Sequence, residues 1–224
     1  MIRHLIITLS LIGMTSSTLA QTSTRPEILT EACEVSIALS AAPDYLRSEA
    51  SVYAFTQEGY QRVRTGDNPF TCVVNRDDPR VLKPTCFDAE GAETIIPKIK
   101  YFGQRMLAGA SVKTINEEIA EKFQSGDFIR VRRPGVAYML SRYNRPVNRQ
   151  TGKLGFFPPH VMFYAPDLTN IDIGHDMGQY DPQQPTPMIG YQGPHGYMIM
   201  ISDNGVERSR RDLDASCPAW IWDE

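Results

Sequence analysis

SVYAFTQEGYQRVRT, residues 51–65, is the stretch from which the fold can be read. SVYAFT (51–56) and YQRVRT (60–65) are rich in β-branched and aromatic residues, the chemistry of strands. Gln57-Glu58-Gly59 between them is long enough only for a tight turn, so the two strands form an antiparallel hairpin. FTCVVN (70–75) follows a Gly-Asp-Asn-Pro turn and reads as a third strand, and the proline-rich DDPRVLKPT (77–85) reads as a loop.

Helical patterns flank and follow this block. Pro26 suits a first helical turn, with Ile28, Leu29, Ala32, Val35, Ser36 and Leu39 on one face and an end before Pro43. Asp88 can cap a helix running toward Ala108, which Pro97 breaks or kinks. Ser111 opens another, carrying Val112, Ile115, Ile119, Ala120 and Phe123 at helical spacing until Gly126. VAYMLS (136–141), HVMFYA (160–165) and GYMIMIS (196–202) return to strand chemistry, with the flexible loop YDPQQPTP (180–187) between the last two. Strands, then helices, then strands predict a single α+β domain over 21–224, with an antiparallel or mixed sheet and two to four helices.

Residues 1–20 are expected to be a cleaved signal peptide: a basic start at Arg3 and His4, an apolar run from Leu5 to Met14, and a small-residue site before Gln21. The apolar run falls short of the roughly 20 residues a membrane span needs. The expectation is therefore an exported chain, bacterial periplasmic or secreted, with no transmembrane segment once the leader is removed. Four cysteines remain in it: Cys33, Cys72, Cys86 and Cys217. An oxidising compartment favours two disulfides, and four cysteines allow three pairings. We expect Cys72–Cys86 across the proline-rich loop and Cys33–Cys217 tying the ends, each contributing about 2–4 kcal/mol.

The net charge is −3, or −4 without Arg3, which predicts no overall attraction to nucleic acid. Between Phe128 and Pro166, however, Arg130, Arg132, Arg133, Arg142, Arg145, Arg149 and Lys153 occur with no acidic residue. Such a segment is either a solvated face or a patch for a phosphate or carboxylate.

The chemistry-bearing residues cluster late. His160, His175 and His195 are the histidines left after the leader, joined by Met162, Met177, Met188, Met198 and Met200. Residues i and i+2 share a strand face, so His160 with Met162 offers an imidazole–thioether pair, and His175 with Met177 repeats the spacing. Those four residues are a candidate soft-metal set suited to copper as Cu(I). Tyr164 on the face of His160 and Met162 argues instead for a core stripe. So does the opposite facing of Met198 and Met200 to His195 and Tyr197. Pro159-His160 and Pro194-His195 each head an apolar run, with the proline at the strand's first residue, where a missing amide is tolerated. If those strands pair, His160, Met162, His195 and Tyr197 become a candidate site for a small ligand. His160 and His195, with Tyr164, are likewise the candidates for acid–base work in a hydrolase-like enzyme. The alternative to both is an envelope structural protein. No GxSxG, HExxH, GxGxxG or phosphate-binding loop is present.

FTC (70–72), PTCFD (84–88), VAYML (136–140), PHVMFYAPDLTNIDIG (159–174) and GPHGYM (193–198) together resemble a family of exported bacterial proteins in which such blocks occur in this order. The resemblance covers roughly 51–201 and implies a bacterial, exported setting. It carries no assigned activity, catalytic residue or cofactor.

Overall fold

The computed structural model describes residues 25–148, 151–203 and 213–221; the expected signal peptide, Arg149 and Trp222 lie outside these. The hairpin at 51–65 forms as β1 (Ser51–Thr56) and β2 (Gly59–Arg64), antiparallel with Phe55 opposite Tyr60. β3 (Thr71–Asn75) lies on the other side of β1 and runs parallel to it. β4 (Lys83–Phe87), β5 (Val136–Met139), β6 (His160–Tyr164), β7 (Met188–Tyr191) and β8 (Tyr197–Ile201) complete one sheet in the order β2-β1-β3-β4-β5-β6-β8-β7. Every neighbouring pair except β1–β3 is antiparallel, so the sheet is mixed.

Two of these strands depart from the sequence reading. β4 emerges from the expected 77–85 loop despite Pro84. The β5 ladder reaches only Cys86 and Phe87, so Pro84 sits where β4 has no ladder partner on that side and its missing N–H costs little. β7 is four residues long, bulged between Ile189 and Tyr191, and closes one edge.

Five helices are described, one above the expected range. α1 (Glu31–Leu39) is capped by Thr30, whose hydroxyl accepts from the Cys33 amide, and α2 (Asp44–Arg47) is a single turn. The helix expected from Asp88 to Ala108 breaks at Ile95 into α3 (Ala89–Thr94) and α4 (Ile96–Leu107), because Pro97 belongs in a first turn and not in an interior. α5 (Val112–Ser125) is capped by the Ser111 hydroxyl and stopped by Gly126 in the left-handed conformation at φ 83°. α1 starts later than expected; of the expected face Leu29 is buried, Val35 and Leu39 are half-buried and Ala32 is exposed, while the helix's fully buried side is Cys33, Glu34, Ile37 and Ala38. Two side-chain links select that face: a disulfide at Cys33 and an ion pair at Glu34.

The sheet is covered on both sides. α1 lies on one face over Val52, Cys72, Val74 and Cys86, sealed further by Leu213, Cys217 and Ile221 of the C-terminal segment. Trp220 packs at the edge of this cluster, which includes Cys217. α3 and α4 cover the other face, where Ile95, Ile96 and Ile99 meet Phe87, Ala137, Met139, Met162 and Ile199. α4 comes close enough to the hairpin that a Cβ at Gly103 would lie 2.6 Å from the Tyr60 ring. α5 packs on α4, not on a strand, through Phe102, Met106, Ile115 and Ile119. Both expected disulfides are present: Cys72 and Cys86 face each other directly across β3 and β4, and Cys33–Cys217 spans a separation of 184 residues. No helix among the described residues is long and apolar enough to cross a membrane.

Candidate functional site

β6 and β8 pair as expected, but they run antiparallel, and this overturns the convergence of His160 with His195. His160 pairs with Ile201 and Tyr164 with Tyr197, so His160 opens β6 while His195 lies two residues before β8, beyond the opposite end of the ladder. Continuing that register places His195 level with Pro166, six residues from His160, about 20 Å at strand rise. The two cannot act as one acid–base pair or share one ligand.

Each ring is buried with its own partner. His160 Nδ1 lies 2.7 Å from the Pro158 carbonyl, which fixes Nδ1 as the protonated nitrogen, and the Phe157 ring packs edge-on against it at 4.9 Å. His195 Nε2 lies 2.8 Å from the Ile129 carbonyl and donates to it, with Phe123 edge-on at 4.7 Å. Desolvation pushes both imidazoles down to about 4, helped at His195 by the nearby charges of Lys98 and Arg130, so both rings are neutral at neutral pH. With Nε2–H committed to Ile129, Nδ1 of His195 is a bare acceptor. It is buried and has no hydrogen-bond partner.

The Tyr164 hydroxyl is tied into the fold by hydrogen bonds. It donates to Asp88 Oδ1 at 2.9 Å, and burial together with that carboxylate pushes the phenol above its ordinary range. Asp88 also accepts from the Gly91 amide, capping α3, and from the Val136 amide at the start of β5. The Tyr164–Asp88 bond therefore joins the sheet to the helix layer.

The four candidate soft-metal residues fall in two different settings. His160 and Met162 do share a buried face of β6, 2% and 4% exposed. His175 and Met177 do come together, Nε2 to Sδ 3.1 Å, but in the loop after β6, where Met177 is 63% exposed. One pair is sealed in the sheet and the other stands at the surface. Among the described residues no group of three or more His, Cys, Asp or Glu side chains is arranged to hold a metal.

The arginine-rich segment meets acids from elsewhere in the chain. Arg130 pairs with Asp167, Arg132 with Glu90 and Glu93, Arg133 with Glu90, and Arg142 with Asp203. Burial alone would raise the Glu90 carboxyl. The Arg132 amide and the Arg133 and Arg132 guanidinium groups outweigh it and hold the group down at about 2.

What the fold does build is a cleft of about 900 Å³ between the sheet and the pair α4–α5. It exists because α5 leans on α4 and leaves a gap above the strands. Its floor is Phe87 of β4, Met139 of β5, Met162 and Tyr164 of β6 and Tyr197 of β8, and its walls are Ile95, Ile99, Phe102, Ile119 and Phe123. Asn116, Ala120 and Gln124, an i, i+4, i+8 stripe of α5 that is exposed, mark its open side. Its charged side chains are Asp77, Asp78, Lys83, Lys98 and Arg130, with His195, Asn75 and Thr85 as further polar groups.

Lys98 distinguishes the cleft. Asp77 is already paired with Lys83 at 2.5 Å and Asp78 with Arg80 at 3.0 Å. Among the described residues no carboxylate lies within ion-pair distance of Lys98, whose ammonium instead sits 5.3 Å from the centre of the Tyr191 ring. Desolvation pushes it down to about 8, with Asp77 opposing and Lys83 reinforcing the shift. Met162, Tyr164, His195 and Tyr197 of the sequence-selected residues line the cleft; His160, His175 and Met177 do not. Lys98 escaped the sequence reading although it left a signal. It lies three residues after Ile95 and four before Phe102, a charge set on the apolar stripe of its own helix.

No protein-family model matches the chain, and no curated protein and no solved structure matches it.

Proposed function

We propose that the protein is an exported module that binds a small, largely apolar ligand in the cleft beneath α5. The observation that carries this is the cleft itself. A cavity of about 900 Å³ lined by Phe, Ile and Met side chains with a few polar groups has the size and lining of a small-molecule site. A gap of this kind is costly for a domain that has no use for it, since apolar walls left without neighbours forfeit packing. Two disulfides support an oxidising, extracytoplasmic setting, as does the resemblance to exported bacterial proteins. Binding without turnover is favoured over hydrolysis because the two buried histidines stand at opposite ends of a ladder and the Tyr164 hydroxyl is committed to Asp88.

The test uses the neutral fluorophore N-phenyl-1-naphthylamine and the folded, oxidised chain. The expected result is saturable 1:1 enhancement at micromolar concentration, reduced at least tenfold in affinity by Ala120→Trp at the cleft's open side. Ala120 is exposed on α5, so the larger ring can be accommodated without unfolding the helix. Absence of saturable binding to the unsubstituted protein would remove the ligand-binding reading.

A further inference from the structure

The cleft presents two polar features that a hydrocarbon alone leaves unsatisfied. One is the Lys98 ammonium, held among apolar walls with an aromatic face, not a carboxylate, beside it. The other is His195, a residue 2% exposed that lines the same cleft and whose buried Nδ1 has no donor. Both line the one cleft, and the Lys98 ammonium reaches the Tyr191 ring, which stacks on Tyr197 two residues past His195. An unpaired cation and an unpaired buried acceptor each cost free energy until a ligand supplies the missing partner. The partners are specific in kind: an anion for the ammonium, and an O–H or N–H donor for the bare imidazole nitrogen.

We propose that the ligand is an amphiphilic hydroxy acid, its carboxylate against Lys98, its hydroxyl donating to His195 Nδ1, and its hydrocarbon along Phe87, Ile99, Met139 and Met162. The inference rests on the cleft being a ligand site. A carboxylate alone answers Lys98 but offers His195 no proton, and an alcohol alone does the reverse. Arg130 and Lys83, the other cations at the cleft, already hold Asp167 and Asp77, which leaves Lys98 to receive the acid. No chemical step is required of the protein. The carboxylate enters charged and leaves charged.

Displacement of N-phenyl-1-naphthylamine by three ligands of one chain length tests this: 3-hydroxydodecanoate, dodecanoate and 3-hydroxydodecanamide. The expected order places the hydroxy acid first, dodecanoate about fivefold weaker and the hydroxy amide tenfold or more weaker, as hydrogen bonds to neutral and to charged partners predict. Lys98→Met should bring the acid and the amide within twofold of each other, each read against that variant's own fluorophore affinity. His195→Leu should erase the hydroxyl preference and keep the acid preference. Should His195→Leu fail to fold, the comparison of hydroxy acid with dodecanoate on the unsubstituted protein decides the point without it. Fluorophore binding with all three ligands equal overturns this inference and leaves the binding reading standing. Loss of fluorophore binding altogether sinks both.

Discussion

Arg76 and Glu34 show how much a single pair can hold. Glu34 on α1 and Arg76 just past β3 are 0% and 1% exposed, and their ion pair is direct. Glu34 Oε2 also accepts from the Phe55 amide at 3.3 Å, and Arg76 Nη1 donates to the Val74 carbonyl at 3.0 Å. The Tyr60 hydroxyl donates to the same Val74 carbonyl, and the guanidinium lies 5.0 Å from the Phe55 ring. One buried pair thus links α1, the β1–β2 hairpin and β3. Burial alone would lower the Arg76 guanidinium, but the charge of Glu34 beside it holds it up. Removing one partner strands the other's charge, so Arg76→Met should cost about 3–5 kcal/mol in denaturant unfolding. Adding Glu34→Gln keeps an acceptor for the Phe55 amide while removing the stranded charge. The double variant should therefore be more stable than Arg76→Met alone. A single variant within 1 kcal/mol of the parent would show that hydrophobic contacts, and not this pair, seat α1.

Among the elements, α5 decides whether there is a cleft at all. It packs chiefly on α4, and its two ends are fixed by Ser111, whose hydroxyl accepts from the Thr114 amide, and Gly126 at φ 83°. Ser111→Ala and Gly126→Ala should each destabilise the protein by about 1 kcal/mol, the first through a lost cap, the second through a Cβ in the left-handed region. Because α5 is the cleft's far wall, both should also weaken fluorophore binding, measured on protein shown to be folded by circular dichroism. Loss of stability with unchanged binding would remove α5 from the site. The strands and this helix were legible in the sequence because alternation, a Gly turn and caps mark them locally. β4 was hidden by its own Pro84, whose tolerance depends on where β5 stops. The α1 face was hidden because its buried side carries Glu34, a charge that hydrophobic spacing counts against burial. The pairing of β6 with β8 was readable, but its direction was not. The segment between them is long enough to return the chain either parallel or antiparallel, and only the latter separates the two Pro-His starts.

At the scale of the molecule, the neutral buried histidines make the fold sensitive to mild acid. His160 and His195 have folded pKa values pushed down to about 4 against 6.5 when free. Between those values the unfolded chain binds protons that the folded chain refuses, so stability must fall as pH falls. The contribution is fully present above pH 6.5 and is lost progressively as the pH drops through about 4. A shift of this size corresponds to about 3–3.5 kcal/mol per ring. Glu90, held at about 2, adds its own loss in the same direction, but only below its free value of 4.5. The interval from pH 6.5 to 4.5 therefore isolates the histidines from that carboxylate. Urea midpoints taken at pH 7.5, 5.5 and 4.5 should decline steadily, and the decline should be shallower in His160→Met, which removes one of the two rings from the linkage. Glu90→Gln should leave that interval unchanged and flatten the curve below pH 4.5. A midpoint constant from pH 7.5 to 4.5 would mean that both imidazoles take up a proton in the folded state. In that case the Nδ1 of His195, on which the hydroxyl recognition depends, would cease to be an acceptor as the pH falls below about 6.5.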